Sequence, residues 1–181
     1  MEEKNESRRV RMTKRILKDA MIDLMEEKNI NRISIKEICE LADVNRSTFY
    51  AHYENQYDLL EEIEKEIVDE IPRINLYYDH SIYEQLLSCF RYIEHNRKEC
   101  AVLFKNTNAG SFEARILDKI FGKSDDKPQR ITGMDIHNPV HVKMLMSAFG
   151  GLALAEQWIF GEINCSADEL AKAVSECILK S

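Results

Sequence analysis

Residues 34–53 read Ser-Ile-Lys-Glu-Ile-Cys-Glu-Leu-Ala-Asp-Val-Asn-Arg-Ser-Thr-Phe-Tyr-Ala-His-Tyr. They divide into two short helices and a tight turn. Ser34 opens the first helix, and Ser34-x-x-Glu37 is a capping box, in which each side chain satisfies a backbone N–H of the other residue. Ile35, Ile38, Cys39 and Ala42 fall on its buried face. Asp43-Val44 makes the turn, and Asn45 is placed to cap the second helix by accepting a bond from the backbone near Thr48. The second helix carries small, basic and aromatic polar side chains that have no use in a core. That is the pattern of a helix-turn-helix, whose second helix enters the DNA major groove.

Upstream, an apolar stripe of Ile16, Leu17, Ala20, Met21, Leu24 and Met25 predicts a helix from Thr13 to Lys28. Before and within it, residues 7–18 hold six basic groups (Arg8, Arg9, Arg11, Lys14, Arg15, Lys18) and no acidic one. Such a run is either a solvated, frayed arm or a phosphate-contacting one, and its place before a helix-turn-helix suits the second role. Residues 1–53 carry 11 Lys/Arg against 10 Asp/Glu, whereas residues 54–181 carry 14 against 22. The net charge of −7 therefore resides in the C-terminal part and does not argue against nucleic acid.

Downstream, glycine (6) and proline (3) are scarce in the 181 residues, and β-branched alternation is absent, so the chain should be almost all helix. The second helix of the motif ends near Tyr53. Asn55 caps a fourth helix, with Asp58 in the box position, and Pro72 stops it. Helices follow at about Ile82–Asn96, Lys98–Thr107 and Ser111–Gly122, then a polar loop over Lys123–Asn138. The eighth helix, Pro139 to about Phe160, is apolar nearly all round, with Gly150-Gly151 at its centre. A helix of that kind must be buried, and small central residues let another backbone approach. Ser166-x-x-Glu169 caps the last helix. Two consecutive apolar helices at the C-terminus suggest a symmetric four-helix dimer interface, and a central core role for the eighth helix is compatible with it.

Composition excludes several classes. No apolar run approaches the roughly 18 residues of a membrane span, and the charged N-terminus is not a secretory signal, so a cytoplasmic protein with no membrane partner is expected. Five scattered cysteines without a CxxC pair fit reduced thiols used as small apolar residues. His137 and His141 have the spacing of a helical metal pair, but Pro139 puts His137 ahead of the helix, so no metal site is expected. Cys39 and His52 invite a nucleophile reading that the apolar-face position of Cys39 argues against. Tyr77-Tyr78-Asp79-His80 and Phe104-Lys105-Asn106 are polar-aromatic patches better explained by packing than by a pocket. No catalytic residue and no cofactor are expected.

The run from Ile33 to Tyr53, followed by Leu59-Leu60, resembles the DNA-binding domain of the TetR/AcrR family of bacterial transcriptional regulators. The clearest matches are Ser34, Ile38, Ala42, Val44, Thr48-Phe49-Tyr50, His52-Tyr53 and Leu59-Leu60, within a resemblance covering about residues 10–65. The stretch Trp158-x-x-Gly161 also looks like one subgroup of the family's C-terminal domains. The resemblance implies an all-α chain of about nine helices: a three-helix helix-turn-helix domain over 1–54 and a helical ligand-binding and dimerisation domain over 55–181. It further implies a homodimer, joined through the last two helices, that represses from a palindromic operator until an effector enters. One position departs from the family: the lysine commonly found at the start of the fourth helix is Gln56, which removes one phosphate-facing charge.

The candidate DNA-contacting residues are Ser34, Asn45, Arg46, Ser47, Thr48, Tyr50, His52 and Gln56. Arg46 suits bidentate contact with a guanine edge or simple phosphate contact. Asn45, Ser47 and Thr48 are short donors for base edges or phosphate. Tyr50 can lay its ring on a sugar or thymine methyl. In the family pattern the position of His52 meets phosphate, and Tyr53 is structural. Ser34 can offer its backbone N–H to a phosphate, cap its helix, or both. Phe49 must face inward. Two other functions compete with a ligand-released repressor. In one, the C-terminal domain binds a protein; in the other, the chain is an enzyme or a helical module that does not bind DNA.

Overall fold

The computed structural model describes residues 7–72, 82–106, 111–121 and 135–180. Among them are nine α-helices and no strand: α1 Arg8–Glu27, α2 Ile35–Leu41, α3 Arg46–Tyr50, α4 Gln56–Glu70, α5 Ile82–His95, α6 Arg97–Asn106, α7 Ser111–Phe121, α8 Pro139–Ile159 and α9 Ala167–Lys180. The all-α expectation holds, and most helix ends fall within a residue or two of the positions read from the sequence. The patch at Tyr77–His80 and most of the expected 123–138 loop lie outside the described residues. No described helix is long and apolar enough to cross a membrane.

Two helices differ from expectation. α1 begins at Arg8, five residues early, because the Ser7 side chain accepts the Val10 N–H and supplies an N-cap. Arg8, Arg9 and Arg11 are therefore the first turns of a helix and not a frayed arm. α3 ends at Tyr50 instead of near Tyr53, and residues 51–52 continue only as a turn.

The chain divides into two compact units, Met1–Lys65 and Glu66–Ser181. In the first, α1 packs on α2 and α2 on α3. Leu17, Met21, Ile30, Ile38, Phe49 and Leu59 are completely buried there. Two capping arrangements fix the helix starts. Ser34 and Glu37 form the expected reciprocal box, Ser34 Oγ accepting from Glu37 N at 3.3 Å and Glu37 Oε2 accepting from Ser34 N at 2.9 Å. At α4, Asn55 Oδ1 accepts from Tyr57 N at 2.9 Å and Asp58 N at 3.1 Å. The Asp58 carboxylate reaches back to Glu54 N, one residue before the expected partner.

In the second unit α5 lies along α9, and α8 touches α5, α6, α7 and α9. Leu117, Met144 and Ala148 form an apolar cluster between α7 and α8, flanked by Ile120, Leu145 and Leu152. The Lys119 ammonium donates to the carbonyls of Val68 and Asp69, satisfying two of the unpaired acceptors at the end of α4. Phe104 is buried edge-on against Phe112 and also lines an apolar cavity of the second unit, and Asn106 donates to Val102 O.

The α8–α9 turn is built around the single tryptophan. Gly161, at φ 81°, takes the left-handed position. Its N–H donates to Trp158 O, and that of Glu162 donates to Gln157 O at 2.9 Å, the two bonds of a Schellman motif. Trp158 Nε1 closes the loop on Cys165 O at 2.8 Å. Arg97 completes the arrangement from α6, donating to the carbonyls of Trp158 and Ile159 with its guanidinium 5.4 Å from the indole centre. A cation there also suits the negative end of the α8 dipole.

The glycines of α8 and its turn should respond oppositely to alanine. Gly161→Ala forces a side chain into the left-handed region and should cost about 1–2 kcal/mol. Gly150 is helical with nothing within 4 Å of an added Cβ, so Gly150→Ala should gain about 0.5–1 kcal/mol. Urea unfolding of the two variants beside the parent measures both signs.

Candidate nucleic-acid interface

The α2–α3 turn sets the aim of everything after it. Asp43 sits at φ 51°, the left-handed region, which aspartate tolerates better than most residues. Val44 N donates to Cys39 O at 3.0 Å and Asp43 N to Glu40 O at 3.4 Å. This is again a Schellman closure, with an aspartate where glycine is usual. Asn45 then takes the N-cap position in extended backbone, but its side chain makes no capping bond. The expected contact near Thr48 is made by the Asn45 carbonyl, 2.9 Å from Thr48 N. The Asn45 side chain is left exposed on the surface.

α3 is anchored from below by Phe49, fully buried, with Tyr50 edge-on to it at 5.8 Å and Tyr53 at 5.6 Å. Tyr53 is itself buried, and Lys14 lies 5.9 Å from its ring centre. With that side fixed, Arg46, Ser47 and Tyr50 face outward, Tyr50 at 57% exposure. Thr48, His52 and Gln56 are half-buried. Asn45 and Thr48 share a polar groove with Arg9 and Thr13 of α1, and with Glu40 and Asp43. Thr13, whose hydroxyl donates to Arg9 O at 3.0 Å, lies in a stretch that reads as ordinary amphipathic helix and was not among the candidate residues. Its spacing of four from Arg9, which puts the two on one side of α1, was the available signal.

Hydrogen bonds and ion pairs engage some of the groups the sequence offered for phosphate. Of the two roles open to Ser34, capping is the one seen, its backbone N–H donating to Glu37. Lys28 bonds the same carboxylate at 2.5 Å, and together with Ser34 it holds Glu37 ionised, its pKa lowered to about 2. An anion there would meet a fixed negative charge. The basic run is also not uniformly available: Lys14 and Lys18 pair with Glu62 of α4 at 3.3 and 2.7 Å. Those ion pairs keep the Glu62 carboxyl below its usual range despite its partial burial. Arg8, Arg9 and Arg11 remain exposed.

Cys39 is buried, its thiol raised by desolvation, as the core reading of this residue expects. His137 and His141 enter a local turn in which the N–H of Asp135 donates to His141 Nδ1 at 3.1 Å and that of His137 to Asp135 Oδ1 at 2.9 Å. Among the described residues no group of three or more His, Cys, Asp or Glu is placed to hold a metal ion.

Residues 16–63, which hold this turn, its anchored helix and the cap of α4, match the bacterial regulatory proteins of the tetR family. That stretch, and not the chain as a whole, is what the family match covers. The chain is 31% identical over 86 residues to the HTH-type dhaKLM operon transcriptional activator DhaS of Lactococcus lactis subsp. lactis (strain IL1403), an overlap of 48% of this chain and 46% of the relative. The chain thus spans about half the length of that curated relative. The fold is shared with the TetR transcriptional regulator from Streptococcus agalactiae 2603V, at a TM-score of 0.68 and 21% identity over 94% of this chain and 96% of that one. It is shared too with the solved dihydroxyacetone kinase operon activator DhaS, at 0.59 and 23% over 93% and 94%.

The Glu37 box gives a pH signature. Because the folded carboxyl titrates below its ordinary 4.5, its stabilisation is complete above that value and is lost as pH falls toward about 2. Glu37→Gln should melt lower than the parent at neutral pH, and the gap should shrink below about pH 4. Melting curves across that range check it; a gap that stays constant contradicts the assignment.

Proposed function

We propose that this chain is a homodimeric transcriptional repressor that reads a palindromic operator through α3 and releases it when an effector engages the C-terminal domain, residues 55–181. The observation that carries the DNA reading is the outward display of Arg46, Ser47 and Tyr50 on a helix pinned from beneath by Phe49. Asn45, Thr48, His52 and Gln56 border that face, and exposed Arg8, Arg9 and Arg11 add sequence-independent attraction to phosphates. Ser34 serves this interface by orienting α2.

Dimerisation through α8 and α9 is supported by the outer face of α8. Met146, Phe149 and Leu154 are exposed at 71%, 47% and 40%. A mainly apolar groove between α8 and α9 is lined by Met146, Gly150, Leu154 and Cys177 among others. Burying such side chains against a second copy recovers roughly 25 cal/mol for each Å² of apolar surface covered. A second reading, activation in place of repression, is favoured by one observation: the relative DhaS is named as an activator of its operon. Transcription in vitro from a template carrying the selected duplex separates the two signs. In a third reading a protein partner, instead of a small molecule, engages residues 55–181.

Duplexes selected from a random pool should be palindromes with half-sites about one helical turn or more apart. Against that duplex, Arg46→Ala and Tyr50→Ala should each weaken binding about fivefold to 100-fold with the fold intact, the range of a lost base contact. Unchanged affinity in both variants at two salt concentrations sinks the DNA reading. Gln56→Lys restores a charge at the start of α4 and should steepen the slope of log K against log salt by about 0.9. Fluorescence anisotropy over a salt series measures that slope.

A further inference from the structure

One side of α1 carries a continuous basic row. Arg11, Lys14, Arg15 and Lys18 are spaced three, one and three residues apart, so they share a face of the helix. The fold treats the two kinds of cation differently. Arg11 and Arg15 stand in solvent, and Arg15 meets Asp19 only at 3.9 Å, with side chains 79% and 68% exposed. Lys14 and Lys18 are turned onto α4, where one carboxylate holds both. Glu62 accepts from Lys14 at 3.3 and 3.4 Å, one contact to each oxygen, and lies 2.7 Å from Lys18. The side chains of these lysines are only 23% and 16% exposed. Burial pushes the Glu62 carboxyl up, but the two ammonium groups outweigh it and hold the group below its usual range.

As a strut, a half-exposed ion pair contributes little. Its weight lies in what the two lysines are kept from doing. Binding to a duplex gains from each protein cation that replaces a condensed counterion on a phosphate. An ammonium already matched to a carboxylate has to leave it first, and Glu62, on the same chain, competes at a high effective concentration. The pair also sits beside the recognition surface. Lys14 Nζ lies 5.9 Å from the centre of the Tyr53 ring, and that ring meets His52, a candidate phosphate contact, edge-on at 6.3 Å. A released lysine has a flexible stem on which to swing its charge toward a nearby backbone.

We propose that Glu62 is a brake on sequence-independent DNA binding: by holding Lys14 and Lys18 on α4 it keeps both off the phosphates. Resting on the reading of α3 as the DNA-facing helix, this adds a residue that sets how tightly any duplex is held. Glu62 itself touches no DNA and acts through the two lysines. The electrostatic share of affinity is left to the arginines, and non-operator DNA is released readily whatever its sequence.

The test uses the full chain and a mixed-sequence duplex lacking the selected palindrome, with fluorescence anisotropy from about 50 to 200 mM salt. In Glu62→Gln the slope of log K against log salt should steepen by about 0.9 for each lysine that reaches a phosphate. With both engaged, affinity at about 200 mM should rise about tenfold or more. Lys14→Gln with Lys18→Gln should leave the parent slope as it is and cancel the gain in the Glu62→Gln background, a pattern that a merely structural pair does not produce. Glu61→Gln removes one negative charge from the neighbouring position of α4 and controls for net charge. Melting curves establish that each variant is folded, and Glu62→Ala stands in should Glu62→Gln not fold. The brake is overturned by an unchanged slope in the folded Glu62 variant, by equal steepening in Glu61→Gln, or by a parent slope that flattens when the lysines are removed. Those outcomes leave the DNA reading standing, whereas a parent chain that binds no duplex at any salt overturns both.

Discussion

A five-residue helix has no stability of its own, since nucleating a helical turn costs more than so few hydrogen bonds return. α3 exists because Phe49 is buried beneath it, and the surface proposed to face DNA depends on that one side chain. Burial of a phenylalanine is worth about 1.5–3 kcal/mol, enough to hold a single turn in one orientation. Tyr50 and Tyr53 pack against the same ring, so outward and inward residues are set by one contact. The Asp43 turn then decides where the anchored helix points. Remove the anchor and Arg46 retains its charge but loses its address.

The N-terminal unit adds a second layer of restraint through charge. Glu62 draws Lys14 and Lys18 of α1 onto α4, and Glu37 draws Lys28 onto the start of α2. These half-exposed pairs are individually modest. Their effect on the surface is to sort the basic residues. Lysines near the core are committed to carboxylates, and arginines on the outer turns of α1 are left facing solvent. A chain with net charge −7 can thereby present a basic patch.

Much of this was legible in the sequence because it rests on local rules. The Ser34–Glu37 box, the Pro72 stop, the inward Phe49 and the run of helices from α5 to α9 follow from spacing and capping chemistry within four residues. What was not legible depends on partners distant in the chain. Glu62 lies 48 residues from Lys14, and no periodicity announces their pairing. Asn45 illustrates a different limit: a good capping residue stands at the cap position, yet the backbone carbonyl makes the bond and the side chain stays outside. Ser34 shows the reverse, since the sequence allowed both a cap and a phosphate contact, and the geometry spends the N–H on Glu37. An apolar cavity in the second unit was invisible because its lining, among the described residues, is drawn from five helices and Ile71 just past α4.

The α8–α9 turn has a consequence for observing the molecule. Trp158 is the single tryptophan of the chain, and it is buried under Arg97 and edge-on to Phe90 within the second unit. The first unit holds tyrosines but no tryptophan. Indole emission is therefore a built-in lamp for residues 66–181 alone, shifting when Arg97 lets go of the end of α8. Backbone ellipticity reports on both units together, and the difference between the two signals isolates the recognition unit without attaching a label to it.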